Sequence, residues 1–200
     1  MLIGLTGGIA SGKSSVSAIL KRIGHPLIDA DQIARDVVEP GEVAFDKIVS
    51  HFGKAILKED GTIARKRLGA VVFNDEAERE VLNKIVHPAV RTRMNEQKED
   101  YLRQGFETII FDIPLLYESN LFHLVDKVML VYVNKHVQLE RLLNRDKSKK
   151  DEALKRIHSQ LDLEEKRMRA DSVIDNNGSL EETEKQVLRT LDEWDIKPPN

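Results

Sequence analysis

The segment GLTGGIASGKSS, residues 4–15, constrains the fold of this chain more than any other. Gly7, Gly8 and Gly12 surround Ile9, Ala10 and Ser11, and Lys13, Ser14 and Ser15 follow at once. Glycine is favoured where the backbone must turn left-handed or come close to something a side chain would obstruct. The segment fits G-x-x-x-x-G-K-[ST], and its flanks supply the context that pattern requires. Before it, residues 2–6 are an apolar run that reads as a buried strand. After it, Val16, Ile19, Leu20 and Ile23 recur at helical spacing, with Gly24 as a stop. In such a loop the backbone N–H groups turn inward as an anion nest, and the following helix adds the positive end of its dipole. Residues Gly8, Ile9, Ala10, Ser11, Gly12, Lys13, Ser14 and Ser15 are therefore expected to cradle the phosphates of a nucleoside triphosphate. Lys13 would reach the outer phosphates and the Ser14 hydroxyl would sit on Mg²⁺. A glycine turn with an incidental Lys-Ser is the bland alternative, and the strand before and helix behind leave it little room.

The rest of the chain repeats the strand-then-helix grammar. Strands are predicted over 26–29, 108–112, 127–133 and 172–175, each a short apolar run. Helices are predicted over 31–38, 137–145 and 180–194, with a further helical stretch reaching 169. Between the second and third strands the pattern is helical and more polar. Phe45, Ile48, Val49 and Phe52 share a face ending at Gly53, residues 58–61 signal a turn, and 75–103 are long, charged and helical. Pro88 predicts a break there, with one helix ending near His87 and another starting behind it. Apolar strands alternating with helices imply an α/β fold with a parallel sheet covered on both faces, whose ligands bind at the carboxyl ends of the strands.

Composition narrows the remaining classes. The 31 Lys and Arg against 34 Asp and Glu give a net charge of -3, so neither a nucleic-acid coat nor an anionic-membrane binder is implied. With no cysteine, disulfides, thiolate zinc sites and cysteine nucleophiles are excluded. No basic leader precedes the first apolar run, and no uncharged run approaches the roughly 20 residues a membrane helix needs, so a cytoplasmic protein is expected. No obligate protein partner is evident.

Three acids stand at strand ends. Asp29 and Asp31 follow the second strand, where a carboxylate can take a proton from an attacking hydroxyl. Asp31 can equally be the N-cap of a helix starting at Gln32, and spacing alone does not separate the two. Asp112 closes the third strand, where an acid helps hold Mg²⁺. His87 could meet a substrate phosphate, although a lone histidine is more often structural. Arg141, Arg145, Lys147, Lys149 and Lys150 read either as a solvated face or as a mobile lid that closes over phosphates. Asn134-Lys135 follows a strand as in the guanine-reading N-K-x-D, but Val137 stands in place of the aspartate, which removes most support for a GTPase switch.

Taken together, the glycine loop, the pair IDAD, the HP break, DIPLLYE, ERLLNRD and ADSVIDNNGS occur in the order that resembles the bacterial dephospho-coenzyme A kinases. The resemblance spans nearly the whole chain. It implies transfer of the ATP γ-phosphate to the ribose 3′-hydroxyl of dephospho-coenzyme A, the last step of coenzyme A synthesis. By this resemblance Asp31 is the favoured base, with Lys13 and Arg141 also catalytic and Arg145 at the ATP phosphates. His87, Leu115, Leu116 and Glu118 would line the acceptor site beside Asp29, and Asn176 and Gly178 would border the adenine. The implied fold is a three-layer α/β/α P-loop fold of the nucleoside-monophosphate-kinase type, with a five-stranded parallel sheet. One domain over 1–200 would hold a core of about 1–57, 105–145 and 170–200, a helical acceptor-binding region of about 58–104 and a lid of about 146–160. Two stretches depart from the family pattern. DKSKKDEALKRI lacks the usual Gly-Leu-Ser turn, and Ala64 stands where an Asp or Asn is common. A P-loop kinase for another small acceptor, and a nucleotide-dependent switch, are the competing readings.

Overall fold

The computed structural model describes residues 1–199; Asn200, the last residue of the expected core, lies outside the described residues. Strands β1 (Leu2–Gly7), β2 (Leu27–Asp29), β3 (Ile109–Asp112), β4 (Lys127–Tyr132) and β5 (Ser172–Asp175) form one sheet in the order β2-β3-β1-β4-β5. All neighbours pair in parallel. The chain divides into two compact units, the first comprising Met1–Asp29 and everything from Tyr101 onward, the second Ala30–Asp100.

The first unit holds the sheet, and its layering follows from alternation along the strands. Successive side chains of a strand point to opposite faces. Ile3 and Leu5 of β1, with Met129 and Val131 of β4, meet Val16, Ile19 and Leu20 of α1 (Lys13–Arg22) and Val187 and Leu191 of α9 (Leu180–Glu193). Half-buried Trp194 packs on this cluster, with Lys127 Nζ 5.3 Å from the centre of its ring. Leu130 and Tyr132, one residue out of phase, meet Leu163 of α8 (Leu163–Arg169) and Val137 of α6 (Lys135–Asp146). Between them lies α7 (Lys150–His158), inside the stretch expected to form a lid. Ser179 and Glu182 close a reciprocal capping box at the start of α9, satisfying two backbone donors at once.

The second unit is helical: α2 (Ala30–Asp36), α3 (Val43–Phe52), α4 (Arg65–Asn74) and most of α5 (Glu76–Arg103). Ile48, Ile56, Ile63 and Leu68 form its own core, with Phe45, Phe52, Leu82, Ile85 and Val86 packed around them. That shared cluster joins residues on both sides of residue 58, from Val38 to Val86, within the unit that begins at Ala30.

Two local expectations are corrected. The predicted break at Pro88 is absent, because α5 runs unbroken through it. Proline denies an N–H to the Lys84 carbonyl and its ring crowds that carbonyl. Lys84 and Pro88 are both exposed, so water can satisfy the orphaned oxygen, while Leu82, Ile85 and Val86 anchor the helix on the core. The helix predicted from 31 begins at Ala30 instead, which makes Asp31 a first-turn residue and not a cap. There its carboxylate still faces the favourable end of the helix dipole.

Candidate active site

The carboxyl edge of the sheet carries the glycine loop. β1 ends at Gly7 and α1 begins at Lys13. The turn between them is left-handed at Ala10 (φ 59°) and at Gly12 (φ 85°). Glycine is required at Gly12 twice over, because a Cβ there would also lie 2.0 Å from Asn176 Nδ2. At Gly8 a Cβ would lie 2.7 Å from Gln138 Nε2. These same two amides hold the loop from behind. Gln138 Nε2 donates to the Ile9 carbonyl at 2.9 Å, and Asn176 Nδ2 donates to the Ser11 carbonyl at 2.8 Å. Thr183 Oγ1 in turn donates to Asn176 Oδ1 at 2.8 Å, which fixes the amide's orientation. The loop's carbonyls are thus drawn into the protein. Gly12, as the residue capping α1, offers no side-chain acceptor to the helix's first N–H groups. An anion suits that end.

Beside the loop, Lys13 Nζ is ion-paired with Asp112 Oδ1. Asp112 is buried, and Ser17 Oγ donates to its second oxygen at 2.7 Å. Ser17 lies one helical turn behind Lys13, and the Lys13 carbonyl, 3.1 Å from the same Oγ, competes for its one hydrogen. Asp29 pairs with Asp112 in the register of β2 and β3, so two carboxylates share the sheet edge. Ser14 is exposed on the first turn of α1. A serine hydroxyl and aspartate carboxylates are the hard oxygen donors that Mg²⁺ prefers, so the donor set fits that ion.

The remaining residues singled out in the sequence fall as follows. Arg141 lies by the loop, its Nη1 3.6 Å from where a Gly12 Cβ would stand. Arg145 turns to Asp146, with Nε 2.7 Å from Oδ1. Both ends of the Asn176 amide are taken within the protein, and the backbone of Gly178 leads into the capping box of α9. Leu115 is exposed, whereas Leu116 is fully buried and packs towards Gly4, so only the first presents itself to solvent. Glu118 Oε1 lies 2.6 Å from Lys166 Nζ. In the second unit, Asp31 sits in the first turn of α2 and His87 on the exposed side of α5. Sequence reasoning missed Ser17, Gln138, Gln160, Lys166 and Thr183. Only Ser17 had a signal, its position one turn behind Lys13.

Known proteins resemble this chain along nearly its whole length. The family model described as dephospho-CoA kinase matches residues 1–182. The dephospho-CoA kinase of Halalkalibacterium halodurans is 59% identical over 198 residues, covering 99% of this chain and 98% of its own. Among solved structures, dephospho-CoA kinase from Campylobacter jejuni superposes with a TM-score of 0.73 at 31% identity, covering 96% of each chain. TT1252 from Thermus thermophilus superposes with a TM-score of 0.84, also at 31% identity, covering 97% of each chain. A family match over nearly all the chain, relatives identical at more than half their positions and a shared P-loop architecture leave one assignment: the chain belongs to the dephospho-CoA kinase family.

Proposed function

We propose that the protein transfers the γ-phosphoryl group of ATP to the ribose 3′-hydroxyl of dephospho-coenzyme A. The observation that carries this reading is the glycine loop held open by Gln138 and Asn176, with Lys13 poised on Asp112 at the same sheet edge. Phosphoryl transfer asks little covalent chemistry of a protein; it asks for positioning and for charge placed where charge develops. Lys13 leaves Asp112 for the outer phosphates when the triphosphate arrives, and Arg141 neutralises charge on the same side. Arg145 exchanges Asp146 for phosphate. Ser14 and Asp112 would hold Mg²⁺, which when bound would offset the charge of the phosphates, and Asp29 serves the acceptor side of the same sheet edge. Asp31 accepts the proton of the attacking hydroxyl. His87, Leu115, Leu116 and Glu118 serve the acceptor, Leu116 by supporting Leu115 from the core. Asn176 and Gly178 border the adenine, Asn176 through its hold on the loop. The helical unit binds the acceptor, and residues 146–160 close over the nucleotide. Among the described residues no helix is long and apolar enough to cross a membrane. The cytoplasm, where ATP is available, is the proposed location.

One assay tests the reading. ADP release by purified protein with Mg-ATP is compared across dephospho-coenzyme A, AMP, CMP, uridine, pantothenate and no acceptor. Release is expected to rise only with dephospho-coenzyme A. A rise with a nucleoside or nucleotide alone would move the chain to another small-acceptor kinase, and a flat response throughout would favour a switch.

A further inference from the structure

The turn between α7 and α8 touches two loops through adjacent residues. Gln160 Oε1 accepts the N–H of Ile9, in the glycine loop, at 2.7 Å. The N–H of the next residue, Leu161, donates to Glu118 Oε1 at 3.1 Å. That same carboxylate oxygen lies 2.6 Å from Lys166 Nζ, and Lys166 is wholly buried. A buried ammonium cannot shed its counter-ion cheaply, because losing one partner leaves the other as an uncompensated charge. Glu118 is therefore fixed from α8 on one side and from the turn on the other. Both peptide groups that flank the Ile9 Cα are held as well, its N–H by Gln160 and its carbonyl by Gln138.

We propose that residues 160–161 form a strut that sets the glycine loop and the 113–118 loop as one piece, with Gln160 and Lys166 as its positioning residues. The inference rests on the reading above, in which the nucleotide lies on the first loop and the acceptor meets the second. Gln160 orients the amide that flanks the phosphate nest, and Lys166 aims Glu118. A displacement of either loop is passed through two neighbouring backbone positions to the other, which would make the binding of one substrate prepare the site of the other.

Hydrogen exchange on the ligand-free full chain tests the strut by substituting at one end and reading at the other. Lys166→Met keeps the side chain's length and removes its charge. It is expected to speed exchange of the amides of residues 8–12 several-fold, although Lys166 makes no hydrogen bond or ion pair with that loop. Gln160→Leu is expected to do the same to residues 113–118. Should Lys166→Met fold poorly, Lys166→Met combined with Glu118→Gln removes both charges together and carries the same test. In turnover, Gln160→Leu and Lys166→Met should each raise KM for both substrates, and Gln160→Leu combined with Lys166→Met should cost less than the product of the two single effects, as expected for residues acting through one element. Exchange changes confined to the substituted end, or KM effects that multiply independently and each touch one substrate, would overturn the strut. The exchange arm needs neither acceptor nor turnover. An absence of activity with dephospho-coenzyme A in the unmutated protein would instead defeat the proposed reaction.

Discussion

Asp29 and Asp31 stand two residues apart yet belong to different elements, the first ending β2 and the second in the opening turn of α2. If Asp31 is the base, Asp31→Asn should lower kcat by about two to four powers of ten while ATP affinity barely moves, since a positioned proton acceptor contributes in that range. The helix should lose only a few tenths of a kcal/mol of dipole interaction, because Asp31 is not its cap. Asp29→Asn is the control: a large rate loss there, with near-normal turnover in Asp31→Asn, would reverse the roles. Steady-state kinetics and a thermal melt of both variants decide it. At this scale the strand-to-helix turn of the glycine loop was legible, because a left-handed residue in close contact with Asn176 needs glycine at that position. Its supports were not. Gln138 and Gln160 reach Ile9 from 129 and 151 residues away, and a lone glutamine carries no periodic signal.

Elements tell a similar story through α5 and α7. Pro88 sits inside α5 on its exposed side, where it removes one backbone hydrogen bond. Pro88→Ala should therefore stabilise the protein by about 1–3 kcal/mol, seen as a higher melting temperature. An unchanged or lower one would mean that Pro88 makes packing contacts worth as much as the backbone hydrogen bond it removes. In α6 and α7, Asp146 accepts hydrogen bonds from Arg145 and Arg156, which hold its carboxyl down at about 2. A depressed carboxyl contributes above its ordinary range and loses that contribution as pH falls through the depressed value. The link between the two helices should thus persist at pH 4 and open near pH 2. The carboxyl carbon of Asp146, followed by NMR, should titrate near 2 and return towards the ordinary range in Arg156→Met; an unmoved midpoint in that variant would show that Arg156 does not contribute. The strands were legible to within a residue or two, since buried parallel strands are short apolar runs. The continuity of α5 was not, because it depends on Leu82, Ile85 and Val86 finding a core that local sequence does not describe.

On the scale of the whole molecule, hydrophobic clusters line both faces of the sheet in the first unit, and a separate one lies among the helices of residues 30–100. Ile48 is fully buried in the helical unit's cluster. Ile48→Ala should cost about 2–5 kcal/mol there and lower the temperature at which the helical unit's circular dichroism is lost. If the two units melt separately, a probe confined to the first should barely shift; coincident shifts in both would mean they unfold as one cooperative body. The division itself was partly visible in the sequence as a helical, polar interlude between apolar strands. Its edge at Ala30 was not, because α2 follows β2 without a linker. Trp194 supplies the probe. It is the chain's one tryptophan, and it lies on the sheet's own cluster beneath Lys127. Intrinsic fluorescence excited at the red edge therefore reports the sheet unit alone and is blind to the helices of residues 30–100, so an emission spectrum that looks native does not certify an intact helical unit.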